Sequence, residues 1–413
     1  MRCELLVVGG EVLTLAPGDR PRAGRLAEEL GVVREGAVAC SGGVVVAAGR
    51  VEEVLRRVEV GSWTTVIEAR GKVVMPGFVD AHTHVVFAGS REDEFAARIR
   101  GKSYMEIHRE GGGILRTVRE TRAASVWRLV EEARPRLDSM LKHGATTVEV
   151  KSGYCLDTEG EVKMLKAIKL LDAIHPVDLV PTFLGAHAVP EGFSSSEYAR
   201  LVAGEMVEKA AELAEFCDVF CEKGVFSPEE SRLVLEAGLK RGLKPQMHVD
   251  EFSHTGGARV AAELKAVVSH LAHTTREELR ALAEAGCIGV LLPGILLCTM
   301  QEEWPKASKY IEAGLPIALG SDLSPACWVE SMQLVVQLAC LMYRMTPEQA
   351  IVAATVNAAH AVGRGLEVGS LEPWKKADII VLDAPSYEHI PYHLGTNLVE
   401  TVIKGGKLVY EAG

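Results

Sequence analysis

Apolar positions in the first 75 residues fall into short β-rich runs, CELLVVGGEVLTL, GAVACSGGVVVAAG and TTVIEARGKVVMPG, punctuated by glycine. One short helical stretch, Val51–Val58, interrupts them. The last 45 residues resume the pattern with KADIIVLDA and NLVETVIKGGKLVYEAG. This predicts strands at both ends of the chain that meet in one sandwich-like unit, with the middle inserted in it. In that middle, eight apolar runs alternate with amphipathic helical stretches: PGFVDAHTH, ATTVEVKS, DLVPTFLGAH, CDVFCE, KPQMHVDE, AVVSHLAH, CIGVLLP and PIALGSD. Pro76 to Asp322 spans 247 residues, and a (β/α)8 barrel takes about 250. A doubly wound open sheet has the same periodicity, but no GxGxxG follows the first run. The expected architecture is α/β: a (β/α)8 TIM barrel with a small composite β-sandwich domain built from both termini. The expected boundaries are 1–70 and 365–413 for the sandwich and 71–364 for the barrel. Ser227-Pro228-Glu229-Glu230 opens a helix ending near Gly242, and Thr346-Pro347-Glu348 opens another ending near Gly363.

Composition narrows the function. The chain has 413 residues, 48% hydrophobic and 24% charged, with net charge −11. Such a balance supports a large core and argues against a phosphate-neutralising nucleic-acid binder; an anionic substrate needs a local cation. No apolar run reaches the ~20 residues that cross a bilayer, and MRCELLVVGGEV lacks the features of a signal peptide, so the cytoplasm is expected. The nine cysteines are scattered without a CxxC pair and read as reduced thiols. Cys217 and Cys221 read as buried strand thiols.

Barrel enzymes act at the C-terminal ends of their strands. The first run ends in His82-Thr83-His84, whose two imidazoles project to one face when side chains alternate along a strand. Composition alone nearly accounts for one HxH triplet, so its place on the rim is what matters. The third run ends at His187, the fifth at His248 with Glu251 three residues on, the sixth at His270 and the eighth at Asp322. Imidazole and carboxylate together suit Zn²⁺ or Fe, with a position left for water, and so point to a hydrolytic metal site. Glu251 is placed to carry a proton between water and a leaving nitrogen.

HxH on the first strand, His on the fifth, His on the sixth and Asp on the eighth, with PGFVDAHTH and KKADIIVLD, resemble the metal-dependent amidohydrolase superfamily. The stretches VMPGFVDAHTHVVFAGSREDEF, SYMEIHREGGGILRTVRETRAAS, TTVEVKSGYCLD, FLGAHAVP, DVFCEKGVFS and PQMHVDEF are similar to the imidazolonepropionase family within it. That resemblance covers most of the chain. It implies hydrolysis of 4-imidazolone-5-propanoate to N-formimidoyl-L-glutamate in histidine degradation, with one Zn²⁺ or Fe per subunit held by His82, His84, His248 and Asp322. It further implies Glu251 as proton shuttle and His270 as catalytic histidine, with His273 as its rival. Arg91 becomes the clamp for the propanoate and supplies the cation required above, and Tyr154 and His187 join the substrate pocket. A homodimer is implied, with a small anionic molecule as substrate and neither nucleic acid nor membrane as partner.

The family's Asn-Pro-Gly-Ser after the metal-binding Asp is here Ser324-Pro325-Ala326-Cys327. Ser324 and Cys327 are the expected substrate contacts in that segment, although a thiol is a weak donor. This departure favours an alternative amidohydrolase acting on another heterocycle, a deaminase or cyclic amidase. Trp374 stands where a Gly-Lys turn is common and reads as structural. Gly111–Gly113 reads as a loop over the site, since no GK[ST] follows it. Lys151 lies on the second strand, not the fourth where a bridging carbamylated lysine belongs, and Lys223 is the other lysine near the rim. Glu222 ends the fourth strand as a carboxylate available to a second metal, but one metal is the expectation.

Overall fold

The computed structural model describes residues 1–102, 106 and 111–413. Residues 103–105 and 107–110 of the SYMEIHREGGG stretch lie outside the described residues. The barrel strands are β6 (Phe78–Asp80), β7 (Ala145–Lys151), β8 (Asp178–Ala186), β9 (Phe216–Cys221), β10 (Lys244–Val249), β11 (Val267–His270), β12 (Gly289–Leu291) and β13 (Ile317–Leu319). They form one parallel sheet in sequence order, each pairing with the next. Each corresponds to one of the eight apolar runs. Parallel strands covered by helices are buried on both faces, which is why nearly every position of these runs is buried, the few polar ones included.

Closure between first and last strands comes from the segments just beyond them. Ala81 N donates to Leu319 O at 3.4 Å, Asp322 N to His82 O at 3.0 Å and His84 N to Leu323 O at 2.8 Å. The approach is close enough that a Cβ at Gly320 would lie 2.9 Å from the His82 Cβ, so glycine is required there. Asp80 adds a second stitch: its Oδ1 accepts from His82 N at 3.3 Å and Ser321 N at 2.9 Å.

The second sheet joins the two ends of the chain. Its strands are β1 (Leu5–Leu13), β2 (Val32–Ser41), β3 (Val44–Arg50), β4 (Thr65–Glu68), β5 (Val73–Pro76), β14 (Ile379–Leu382), β15 (Val399–Lys404) and β16 (Lys407–Glu411). β5 runs antiparallel to β14, so strands from the two ends are neighbours. The first half of β1 pairs with β4 and the second half with β5. The register shifts between Val8 and Gly10, where Gly9 has φ 89°, letting one strand serve two layers. Val7, Val12, Val38, Val74, Ile379 and Ile403 fill the space between the layers.

The helix Pro228–Lys240 starts where expected, and the structure adds a capping box in which Ser227 and Glu230 bond reciprocally. The helix from Pro347 is interrupted: it ends at Ala353 and a second begins at Val356. The break frees the Ala354 carbonyl to accept from Val79 N at 3.0 Å, which anchors β6.

Candidate active site

The rim at the C-terminal ends of the strands gathers the sequence-predicted residues around a cavity of about 860 Å³. His84, Arg91, Tyr154, His187, His248, Glu251, His270, Asp322 and Ser324 line it. Ring centroids of His82 lie 5.3 Å from His84, 4.6 Å from His248 and 5.7 Å from His270. Backbone strain collects here as well, since His270 (φ 73°) and Asp322 (φ 54°) both adopt positive φ.

The donor set suits a metal ion. His82 Nδ1 is bonded to Ser269 Oγ at 2.8 Å and His248 Nδ1 to Asp218 at 3.1 Å, whereas both Nε2 atoms are buried without a partner among the described residues. Asp322 Oδ1 stands 3.7 Å from His82 Nε2 and 3.6 Å from His84 Nε2. That is too long for a hydrogen bond and close to the ~3.4 Å separating two ligands of a tetrahedral ion with ~2.1 Å bonds. His82, His84 and Asp322 form one possible ligand triplet and His82, His248 and His270 another, sharing His82. Burial, then Lys151 and the neighbouring imidazoles, push His82 well below its ordinary pKa, keeping it neutral and available as a ligand.

Glu251 lies beside this cluster, its Oε2 3.5 Å from His270 Nε2. Burial, followed by Asp322 and Glu222, raises its carboxyl well above the usual range, which suits a group that takes and returns a proton. Of the two candidate histidines, His270 is buried among the other imidazoles, and His273 is exposed at the cavity mouth. Arg91, also on the cavity lining, precedes the helix Glu92–Ile99, and its Nε is buried without a partner among the described residues. Tyr154 packs against His84 and His187 at 5.6 and 5.2 Å. His187 stacks on His84 at 4.9 Å and bonds to Gly153 O at 3.0 Å; burial and then His248 lower its pKa to about 3. Both oxygens of buried Glu161 accept from the backbone of Gly153, Cys155 and Leu156, fixing the turn that presents Tyr154.

Ser324 and Cys327 do not face the same way. Their backbones close a tight turn, Ser324 N to Cys327 O at 2.9 Å and Cys327 N to Ser324 O at 3.1 Å. The turn leaves Ser324 on the cavity wall and sends the fully buried Cys327 thiol inward, 3.5 Å from Ser321 O. Cys327 is not among the residues that line the cavity, unlike Ser324. Glu222 accepts from the backbone of Lys223 and Phe252 and from the Ser253 hydroxyl, so its oxygens hold the loop carrying Glu251. Lys151 is buried on β7, and its Nζ meets Glu149, Asp218 and Gln246. Cys217 and Cys221 are buried free thiols.

The amidohydrolase family model matches residues 73–409. The chain belongs to the amidohydrolase family. Among similar amidohydrolases, the imidazolonepropionase of Symbiobacterium thermophilum is 48% identical, over 99% of this chain and 98% of that protein. That of Geobacillus kaustophilus is 49% identical, over 93% of this chain and 92% of that protein. The solved adenosine deaminase from Xanthomonas campestris with bound zinc shares the fold, with TM-score 0.74 and 18% identity over 98% of this chain and 93% of that one. An amidohydrolase site implies a metal ion, and the unpartnered imidazoles fit one. No helix among the described residues is long and apolar enough to cross a membrane.

Reasoning from sequence missed Asp218, Ser269, Glu149 and Gln246, which hold the rim from beneath. The available signal was a charged or polar residue inside a run otherwise buried on both faces, as in FCDVFC.

Proposed function

We propose that the chain opens the ring of 4-imidazolone-5-propanoate, giving N-formimidoyl-L-glutamate, the hydrolytic step of histidine degradation. The observation that carries this reading is Arg91: a guanidinium whose buried Nε has no partner among the described residues, lining the same cavity as the imidazole and carboxylate cluster. A substrate with a carboxylate at one end and a hydrolysable ring at the other matches that layout. His82, His84, His248 and Asp322 are the proposed ligands of one Zn²⁺ or Fe per subunit. Such an ion supplies Lewis-acid polarisation and lowers the pKa of water from about 15.7 toward 7.

The chain's own residues do the rest. Arg91 takes the propanoate, and Tyr154, His187 and Ser324 orient the ring by hydrogen bonding from the cavity wall. Glu251 accepts a proton from the attacking water at Oε2. As the acyl C–N bond breaks, it returns that proton to the ring nitrogen, which leaves poorly as an anion. His270, 3.5 Å away, holds the carbonyl oxygen or the water against Glu251. We assign the protein to the cytoplasm as a homodimer, to be checked by light scattering.

The test is purified protein with enzymatically generated imidazolone propanoate, following loss of its ultraviolet absorbance with and without a chelator. Chelator-sensitive decay without ammonia is the expected result. No decay, or stoichiometric ammonia release from a different heterocycle, overturns the assignment.

A further inference from the structure

The imidazoles on the rim are braced differently from below. His82 Nδ1 faces a neutral hydroxyl, Ser269 Oγ at 2.8 Å, and His187 Nδ1 faces a neutral carbonyl, Gly153 O at 3.0 Å. His248 Nδ1 faces a carboxylate, with both Asp218 oxygens 3.1 Å away. Asp218 is fully buried and belongs to a larger charged group. Lys151 Nζ lies 2.8 Å from Asp218 Oδ2, 2.9 Å from Glu149 Oε1 and 2.6 Å from Gln246 Oε1, and Lys151 and Glu149 are also fully buried.

An ammonium and two carboxylates taken out of water cost more desolvation than their mutual attraction commonly returns. Apolar side chains fill barrel interiors at less cost, so this group asks for a role other than stability. Its position names one. β9 and β10 are adjacent strands and β7 lies one strand beyond β9, with β8 between; the contacts Lys151–Asp218–His248 cross them and end at a His248 Nε2 that has no partner among the described residues.

We infer that Asp218, held by Lys151, is a positioning residue for the metal site. It accepts the Nδ1 proton of His248 and thereby directs the Nε2 lone pair at the ion. Lys151 occupies the outer side of the carboxylate, so Asp218 stays a brace and does not turn into the cavity as a competing ligand. A carboxylate that accepts the other ring proton of a ligating imidazole fixes its tautomer and ring orientation. The inference rests on the reading of His248 as an ion ligand.

The experiment uses the full-length protein stripped of metal. Histidine-labelled NMR on the parent should show His248 protonated at Nδ1 and unprotonated at Nε2; the opposite tautomer overturns the inference without any variant. Zn²⁺ competition against a chromophoric chelator should show Asp218→Asn binding ~10- to 100-fold more weakly than the parent. Because Asp218→Asn leaves Lys151 short of one partner, the charge-balanced double variant Lys151→Met/Asp218→Asn is measured beside it. Recovery of the melting temperature with Zn²⁺ affinity still weak supports positioning. Recovery of both together makes Asp218 merely structural and overturns it. A parent with the Nδ1–H tautomer that takes no Zn²⁺ overturns the ligand reading and this inference with it. A parent that takes Zn²⁺, with Asp218→Asn taking it as tightly, overturns the inference alone.

Discussion

The two ends of the barrel treat polar atoms in opposite ways. Where the strands begin, charge is paired: Asp178, the first residue of β8, meets Lys376 at 2.9 Å and Lys404 at 2.7 Å from the second sheet. Glu215, just before β9, takes both ends of the Arg364 guanidinium. Where the strands finish, Nε2 of His82, His248 and His270 and Nε of Arg91 are buried without partners among the described residues. Folding normally satisfies a buried polar atom, because leaving it alone costs about 1–3 kcal/mol. Several such imidazole and guanidinium atoms around one cavity mark where the molecule keeps binding capacity in reserve, whereas the ion pairs at the other end hold the barrel to the second sheet.

Substitutions at the two ends should therefore differ in kind. The largest effect belongs to the ligand set: His248→Ala or Asp322→Ala should lower turnover by about 1000-fold or more, with metal content falling in elemental analysis, since an ion contributes several kcal/mol to the transition state. Glu251→Gln should keep its metal and lose about 100- to 10,000-fold in turnover, the range for removing a general acid–base; undiminished turnover would take Glu251 out of the mechanism. Arg91→Ala should mainly raise KM, by roughly 10- to 100-fold for loss of a charge-assisted contact, because the propanoate is held alike in ground and transition states. A fall confined to kcat would remove the clamp.

The smallest effect lies at the opposite end. Burial alone would raise the Asp178 carboxyl, but Lys404 and Lys376 outweigh it and hold the group below its ordinary value. Its contribution is present above the unfolded carboxylate pKa of about 3.9 and is lost as pH falls from there toward the folded value. Asp178→Asn should remove that slope from acid unfolding, cost no more than about 1 kcal/mol in this partly solvated pair, and leave kcat unchanged. Activity loss matching that of His248→Ala would break the contrast between the ends.

How much of this could be read from sequence depended on whether a feature was local. The eight barrel strands were legible because each is a short run buried on both faces, and the rim because His82, His84, His248, His270 and Asp322 sit at or just past strand ends. Asp218 was not legible as a brace, since its partners His248 and Lys151 are on other strands, 30 residues or more away. Nor was the direction of Cys327, which follows from the turn it makes with Ser324. The helix break at Ala354 was hidden because its reason, the need of Val79 N for an acceptor, lies at the far end of the chain.

Because β6 and β13 are joined through the residues that carry His82, His84 and Asp322, an ion lodged between those side chains acts as a clasp on the barrel wall. Loading the site and keeping the wall shut then become a single equilibrium, and a ligand that prefers the closed form adds to its stability in proportion to the logarithm of its concentration over its dissociation constant. Heat resistance of this protein should accordingly rise and fall with the free metal in the buffer.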